Sequence, residues 1–106
     1  MAEVKLTLGG ETFVLKCTLD AFRTIPATLG GFVGAFTAMQ TADVNTCAFI
    51  IAAATGKAND FKEQTRIVGL MFEDGFSPEI ITRIAEYVVL LKNGGKAEVP
   101  NGSAGE

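Results

Sequence analysis

The chain has 106 residues, of which 48% are hydrophobic and 20% charged, and its formal net charge is −3. This length favours a single domain, and the composition is that of a globular protein and not of a disordered one. Because the net charge is negative, the composition does not indicate a basic surface that would attract phosphate groups, and we expect no nucleic-acid partner.

Residue types that carry catalysis and metal binding are sparse. The chain has no histidine, and its two cysteines, Cys17 and Cys47, lie far apart in the sequence. Because a zinc site or a disulfide framework requires more ligands at closer spacing, we expect two reduced thiols in a cytoplasmic protein. No nucleophile elbow, catalytic carboxylate pair or phosphate-binding loop is recognisable. We therefore predict no enzyme activity, no cofactor and no metal ion.

A β-hairpin is predicted over residues 3–17. Apolar and polar residues alternate in EVKLTL, Gly9-Gly10 supplies a tight turn, and TFVLKC returns with the same alternation. An isolated hairpin is only marginally stable, so it should pack on helices or extend the sheet of another chain. Its open edge is a candidate route to a homo-oligomer.

Four or five short helices are predicted over residues 18–93. Thr18 should cap the first, LDAFRTIPATL, in which Pro26 should cause a kink or interrupt the regular hydrogen bonding early. Gly30-Gly31 then separates it from a short second helix, FVGAFTAMQ. After the cap Asp43, VNTCAFIIAAAT is apolar on nearly every side, which is typical of a helix at the centre of a core.

The last two predicted helices are amphipathic. Asp60 should cap the fourth, with Glu63 in the capping-box position, and its apolar stripe should comprise Phe61, Ile67, Val68, Met71 and Phe72. Ser77-Pro78-Glu79 is a typical helix start. The fifth helix should bury one residue of the pair Ile80 and Ile81, together with Ile84, Val88 and Leu91. From residue 94 to 106 the chain is glycine-rich and polar, which indicates a flexible tail.

Residues 29–56 contain one charged residue, Asp43. A membrane span requires about 20 apolar residues in an unbroken helix, and Gly30-Gly31 and QTADVNT interrupt this stretch, so we expect no membrane segment. Packing in the core explains residues 44–55. Residues 18–42 leave two alternatives open, a core alone or a core together with a partner surface. The candidate partner-binding residues are Phe32, Val33, Phe36 and Met39.

The order of these features resembles a known family. The relevant stretches are the hairpin VKLTLGGETFVLK, then TLDAFRTIPATLG and ADVNTCAFIIAAATG, and finally RIVGLMFEDGFSPEIITRIAEYVVLL. Over roughly residues 3 to 93 this order is similar to that of the small tail proteins of gene transfer agents and related siphophages. That group, which also occurs in prophages, is placed with the phage tail assembly chaperones.

The resemblance implies a non-catalytic protein that acts in the host cytoplasm during tail morphogenesis. Members of the group are thought to coat the long, helical, aggregation-prone tape-measure protein and to bring tail tube subunits to it. They often self-associate. The alternative is a structural minor tail component, such as a tube or connector subunit, that is retained in the finished particle.

Overall fold

The computed structural model describes residues 2–96, in which a two-stranded sheet is followed by five helices. In chain order the elements are β1 (Glu3–Leu8), β2 (Glu11–Lys16), α1 (Leu19–Leu29), α2 (Gly31–Gln40), α3 (Val44–Ala54), α4 (Phe61–Asp74) and α5 (Pro78–Lys92). The predicted α+β fold, a hairpin packed on a bundle of short helices, is confirmed. Residues 97–106, which make up most of the predicted tail, lie outside the described residues.

The hairpin turns through two glycines. β1 and β2 pair antiparallel with Leu8 opposite Glu11, and Gly9 and Gly10 have φ angles of 57° and 79°. A two-residue type I′ turn requires positive φ at both positions, which glycine adopts without a steric penalty. Alternation along the strands directs one set of side chains under the helices: Leu6, Leu8, Phe13 and Leu15. β1 contacts α4 and α5, whereas β2 contacts α3.

Hydrogen bonds tie the tip of the hairpin to α4. The Gly9 N–H donates to Asp74 Oδ2 at 2.7 Å. Arg66 donates to both carboxylate oxygens of Glu11, at 2.6 and 3.0 Å, and to Glu63 at 2.8 Å. The Arg66 hydrogen bonds hold the pKa values of both glutamate carboxyl groups below 4.5. Because the side chains of Arg66 and Glu11 are exposed, solvent screens this ion pair, and its main effect is to orient the hairpin on the helices.

Side-chain caps begin three of the helices where the sequence predicts them. Thr18, Asp43 and Asp60 each accept a hydrogen bond from a backbone N–H two or three residues further along. The reciprocal half of the predicted capping box is not formed, because the Glu63 carboxylate binds Arg66 instead. α5 begins at Pro78 as expected, although the Ser77 side chain makes no capping hydrogen bond.

α3 lies at the centre of the core. Seven of its eleven residues are buried, and it contacts α1, α2, α4, α5 and β2. This position explains its lack of a polar face, because every side of the helix meets another element. Tyr87 of α5 is also fully buried, and its hydroxyl donates to the Lys16 carbonyl at 2.8 Å. This hydrogen bond links the last helix to the hairpin.

α1 and α2 meet at a tight corner. α1 continues through Pro26 to Leu29, which are the bounds that the sequence predicts. Gly30, with a φ of 83°, closes α1, and α2 begins at once with Gly31. A side chain at Gly34 would overlap the carbonyl oxygen of Leu29. The corner therefore depends on a glycine one turn into α2.

The first residues of the predicted flexible tail close α5. Gly94 N–H donates to the Leu91 carbonyl at 2.9 Å, and Gly95 N–H donates to the Leu90 carbonyl at 2.8 Å. Both glycines have positive φ angles. This pair of hydrogen bonds is the Schellman arrangement, in which a left-handed residue satisfies the last carbonyls of a helix. These two glycines therefore close the last turn of α5.

Candidate partner-binding surface

Five large apolar side chains are exposed among the described residues. They are Leu19, Phe22, Val33, Phe61 and Phe72. Isolated exposed apolar side chains are normal on any protein, whereas contiguous apolar areas usually mark an interaction site. The positions of these residues relative to each other therefore decide where a partner could bind.

The four residues predicted from the sequence do not share one exposed surface. Val33 is exposed, with 79% of its surface accessible. Phe32 and Phe36 are half-buried and pack against the core, and Met39 lies within the core. The Cys47 thiol lies 3.9 Å from the Met39 sulfur. Met39 is thus not part of a surface in this structure, and the candidate site on α2 is reduced to Val33 and the edges of the two phenylalanines.

Aromatic packing extends this area from α2 onto α1. The rings of Phe22 and Phe32 lie 5.6 Å apart between centroids and are tilted by 48°. Phe22 and Leu19 also line a shallow groove that reaches Leu91 on α5. Leu19 and Phe22 therefore enlarge the apolar surface around the partly exposed Phe32. The sequence analysis predicted no contact residue on α1. This first apolar area comprises Leu19, Phe22 and Phe32.

A second apolar area runs along α4. Phe61, Val68 and Phe72 follow each other at intervals of seven and four residues, which places them on one side of the helix with Thr65 between them. Phe61 and Phe72 are 79% and 87% exposed, whereas Val68 is half-buried. We refer to Phe61, Val68 and Phe72 as the α4 stripe. It begins beside Asn45 of α3, with which Phe61 and Val68 line a groove.

The sequence prediction for α4 merged two different faces. It placed Phe61 and Phe72 on the buried stripe together with Ile67 and Met71. The structure buries only Ile67 and Met71 on this helix, so the burial predicted for the two phenylalanines is wrong. At 100° per residue, the two buried residues lie roughly 100° around the helix from the α4 stripe. Plotting the five residues on a helical wheel would have separated the two faces.

A third apolar area lies between α5 and β1. Ile81, Ala85 and Val89 of α5, together with Val4 of β1, line a shallow and mostly apolar groove. The buried face of α5 agrees with the sequence prediction: Ile80, Ile84, Val88 and Leu91 are buried, as is Tyr87. Of the predicted alternatives Ile80 and Ile81, the structure buries Ile80 and leaves Ile81 at the edge of the groove.

The groups that could react chemically are held in the core. Cys17 and Cys47 are buried free thiols. Burial, with a smaller contribution from the Asp43 carboxylate, raises the pKa of the Cys47 thiol from 9.0 to about 11. Burial likewise raises the pKa of the Tyr87 hydroxyl above 10.0. A thiol that stays protonated at neutral pH is a poor nucleophile, so these cysteines act as small apolar side chains.

The Cys47 pKa predicts a loss of stability in alkali. The folded state disfavours the thiolate, whereas the unfolded chain ionises near pH 9, so the contribution of Cys47 is complete below pH 9 and declines as the pH rises towards 11. Urea unfolding at pH 7, 9 and 10 should show this decline. The variant Cys47→Ala should start from a lower free energy of unfolding but lose less of it between pH 9 and 10. If both proteins lost the same free energy of unfolding between pH 9 and 10, the raised pKa assigned to the Cys47 thiol would be contradicted.

Outside the apolar areas the described surface offers few features typical of a binding site. Within residues 2–96, no group of three or more cysteine or acidic side chains is placed to hold a metal ion. No helix in the same range combines the length and the apolar character needed to cross a membrane. Comparison with protein-family models, with curated proteins and with solved structures gave no match. The candidate site therefore rests on the geometry of the apolar side chains, and above all on the α4 stripe.

Proposed function

We propose that the protein is a non-catalytic assembly factor for the tail of a siphophage or gene transfer agent. In this proposal it acts in the host cytoplasm and binds the tape-measure protein, a tail tube protein or both through an apolar surface. Two arguments support it: the resemblance in the order of sequence features, and the nearly complete exposure of Phe61 and Phe72 on the α4 stripe. The second of these is the structural observation on which the proposal depends.

The α4 stripe has the size and chemistry of a docking surface for a helix. From Phe61 to Phe72 it spans about 16 Å, or three helical turns. Burial of one phenylalanine side chain is worth roughly 1.5–3 kcal/mol, so covering both would supply a large part of the free energy of a micromolar complex. A matching partner helix would present apolar residues at intervals of three and four, as amphipathic helices do.

An apolar stripe of this kind also suits a partner with a repetitive surface. Contacts made through apolar area tolerate differences in sequence better than contacts made through ion pairs or hydrogen bonds. A long helical protein offers many similar apolar segments, and the resemblance implies such a partner in the tape-measure protein. Several copies of the protein could then cover one partner chain and keep it soluble.

Co-expression with the tape-measure candidate tests the proposal. We expect the candidate to be insoluble alone and to elute as a soluble complex when the protein is present. If the candidate stays insoluble and the protein elutes alone, the proposal is overturned. The composition of purified particles then separates the alternatives, because an assembly factor should be absent from them. Stoichiometric presence in the particles would favour the structural minor tail component.

A further inference from the structure

The hydrogen-bond pattern of the hairpin shows which backbone groups point outwards. Cys17 N–H donates to the Ala2 carbonyl at 3.2 Å, and the register pairs Leu8 with Glu11 at the turn. In an antiparallel pair, hydrogen-bonded and non-bonded residue pairs alternate. The non-bonded positions therefore direct their N–H and C=O groups away from the hairpin. They are Glu3, Lys5 and Thr7 on β1 and Thr12, Val14 and Lys16 on β2.

The position of Tyr87 agrees with this assignment. Its hydroxyl reaches the Lys16 carbonyl from outside the hairpin. A carbonyl oxygen has two lone pairs, so this hydrogen bond leaves one acceptor site on Lys16. Every other outward backbone group at the three β2 positions has no hydrogen-bond partner among the described residues. β2 thus presents an edge to which another strand can be added.

The two edges differ in how they would match a second copy of themselves. A two-fold axis that pairs all three outward residues of β1 places Lys5 directly opposite its own copy, and like charges directly opposite each other are destabilising. The same operation on β2 places Val14 opposite Val14, and Thr12 opposite Lys16. This brings two β-branched apolar side chains together at the axis and leaves the lysines apart. β2 is therefore self-complementary, and β1 is not.

Charged residues border both edges, but small residues lie beside β2. The lining of the groove at the β2 edge includes Val14 and the small residues Ala53, Ala54 and Gly56, together with charged residues such as Lys57 and Arg66. The β1 edge opens onto a cleft bordered by the charged residues Asp74, Glu79 and Arg83. A neighbouring strand lies about 4.8 Å from the edge that it joins, so small residues beside β2 lower the steric cost of its approach.

We propose that two copies of the chain associate through β2, antiparallel about a two-fold axis at Val14, to form a four-stranded sheet. Pairing of the three outward residues with their counterparts would form about six backbone hydrogen bonds. The exposed side chain of Lys16 would lie opposite Thr12 of the second copy. The dimer does not depend on the identity of any tail partner, so its test is separate from that of the proposed function.

Proline substitution at the edges tests the dimer. Light scattering coupled to size exclusion of the full chain should give twice the 11.1 kDa mass of one copy. The Val14 N–H points outwards, so Val14→Pro removes no hydrogen bond within the hairpin but blocks strand addition. Lys5→Pro is the matched control on β1. We expect Val14→Pro to elute as a monomer that is folded by circular dichroism, and Lys5→Pro to elute as a dimer. A wild-type monomer, or a dimer lost only in Lys5→Pro, would overturn the proposal.

A cross-link tests the register without proline. Two residues facing each other at the axis would have Cα atoms about 5.5 Å apart, which is within the range of a disulfide. Val14→Cys should therefore form a covalent dimer on mild oxidation, whereas Lys5→Cys should not. Cross-linking of Lys5→Cys alone, or of neither variant, would contradict the proposed pairing. Cross-linking to a co-expressed partner in place of a second copy would assign the edge to that partner and overturn the dimer.

Discussion

Replacing Gly34 by alanine should lower the free energy of unfolding by about 3 kcal/mol, which is typical of a strongly overpacked site. The added methyl group would overlap the carbonyl oxygen of Leu29. That oxygen belongs to the backbone, so a rotamer change cannot relieve the overlap, and α1 and α2 must move apart. The movement would weaken the contact between Phe22 and Phe32 at the same corner.

Gly69 provides a matched control within α4. No atom outside the local helix backbone lies within 4 Å of a side chain built at that position. Gly69→Ala should therefore raise the free energy of unfolding by about 0.5–1 kcal/mol, because alanine favours the helix. Thermal unfolding of both variants measures the effect, and Gly34→Ala should lower the melting temperature by roughly 15 °C. Equal responses of the two variants would show that the corner has room for a side chain.

Phe36→Asp should destabilise the fold strongly, whereas Phe72→Asp should leave its stability nearly unchanged. Phe36 packs against the core and is half-buried, so a carboxylate there should cost about 3 kcal/mol in lost apolar contact and unfavourable desolvation. Phe72 is 87% exposed, so the same change should alter stability by less than about 0.5 kcal/mol. Urea unfolding followed by circular dichroism measures both.

The two variants also separate core from partner surface on α2. We expect Phe36→Asp to lose helical signal or cooperativity, whereas Phe72→Asp should keep both. If Phe36→Asp instead stays folded and loses only partner binding, Phe36 belongs to the binding surface predicted from the sequence. In that event the assignment of Phe36 to the core would be wrong, and the partner-binding surface would include α2 as well as the α4 stripe.

Local signals in the sequence predict most of the backbone. Gly9-Gly10 between two alternating segments predicts the hairpin, and Thr18, Asp43 and Asp60 predict three helix starts. Each of these signals acts within a few residues, so it can be read without knowing the tertiary structure. The burial of α3 is predictable for a related reason, since a helix without a polar face has to be surrounded.

Burial on the other helices depends on contacts that are distant in sequence. Met39 and Phe72 are both large apolar residues at helical spacing, yet Met39 packs beside Cys47 in the core and Phe72 faces solvent. Which face of a helix is covered depends on where the neighbouring helices lie. The hydrogen bond from Tyr87 to Lys16 and the close approach of Gly34 to the Leu29 carbonyl likewise depend on how the elements pack together. No pattern within one element indicates them.

The most direct test of the proposed binding surface uses the double variant Phe61→Asp/Phe72→Asp. It measures how tightly this variant binds a segment of the tape-measure protein. Lys62→Asp is the matched control, because it changes the net charge by the same two units on the same helix without touching the α4 stripe. Isothermal titration with a soluble amphipathic segment of the tape-measure candidate should show binding to the wild type and to Lys62→Asp. The double variant should bind at least tenfold more weakly while remaining folded. Equal affinities for all three proteins would contradict the assignment of the α4 stripe as the partner-binding surface.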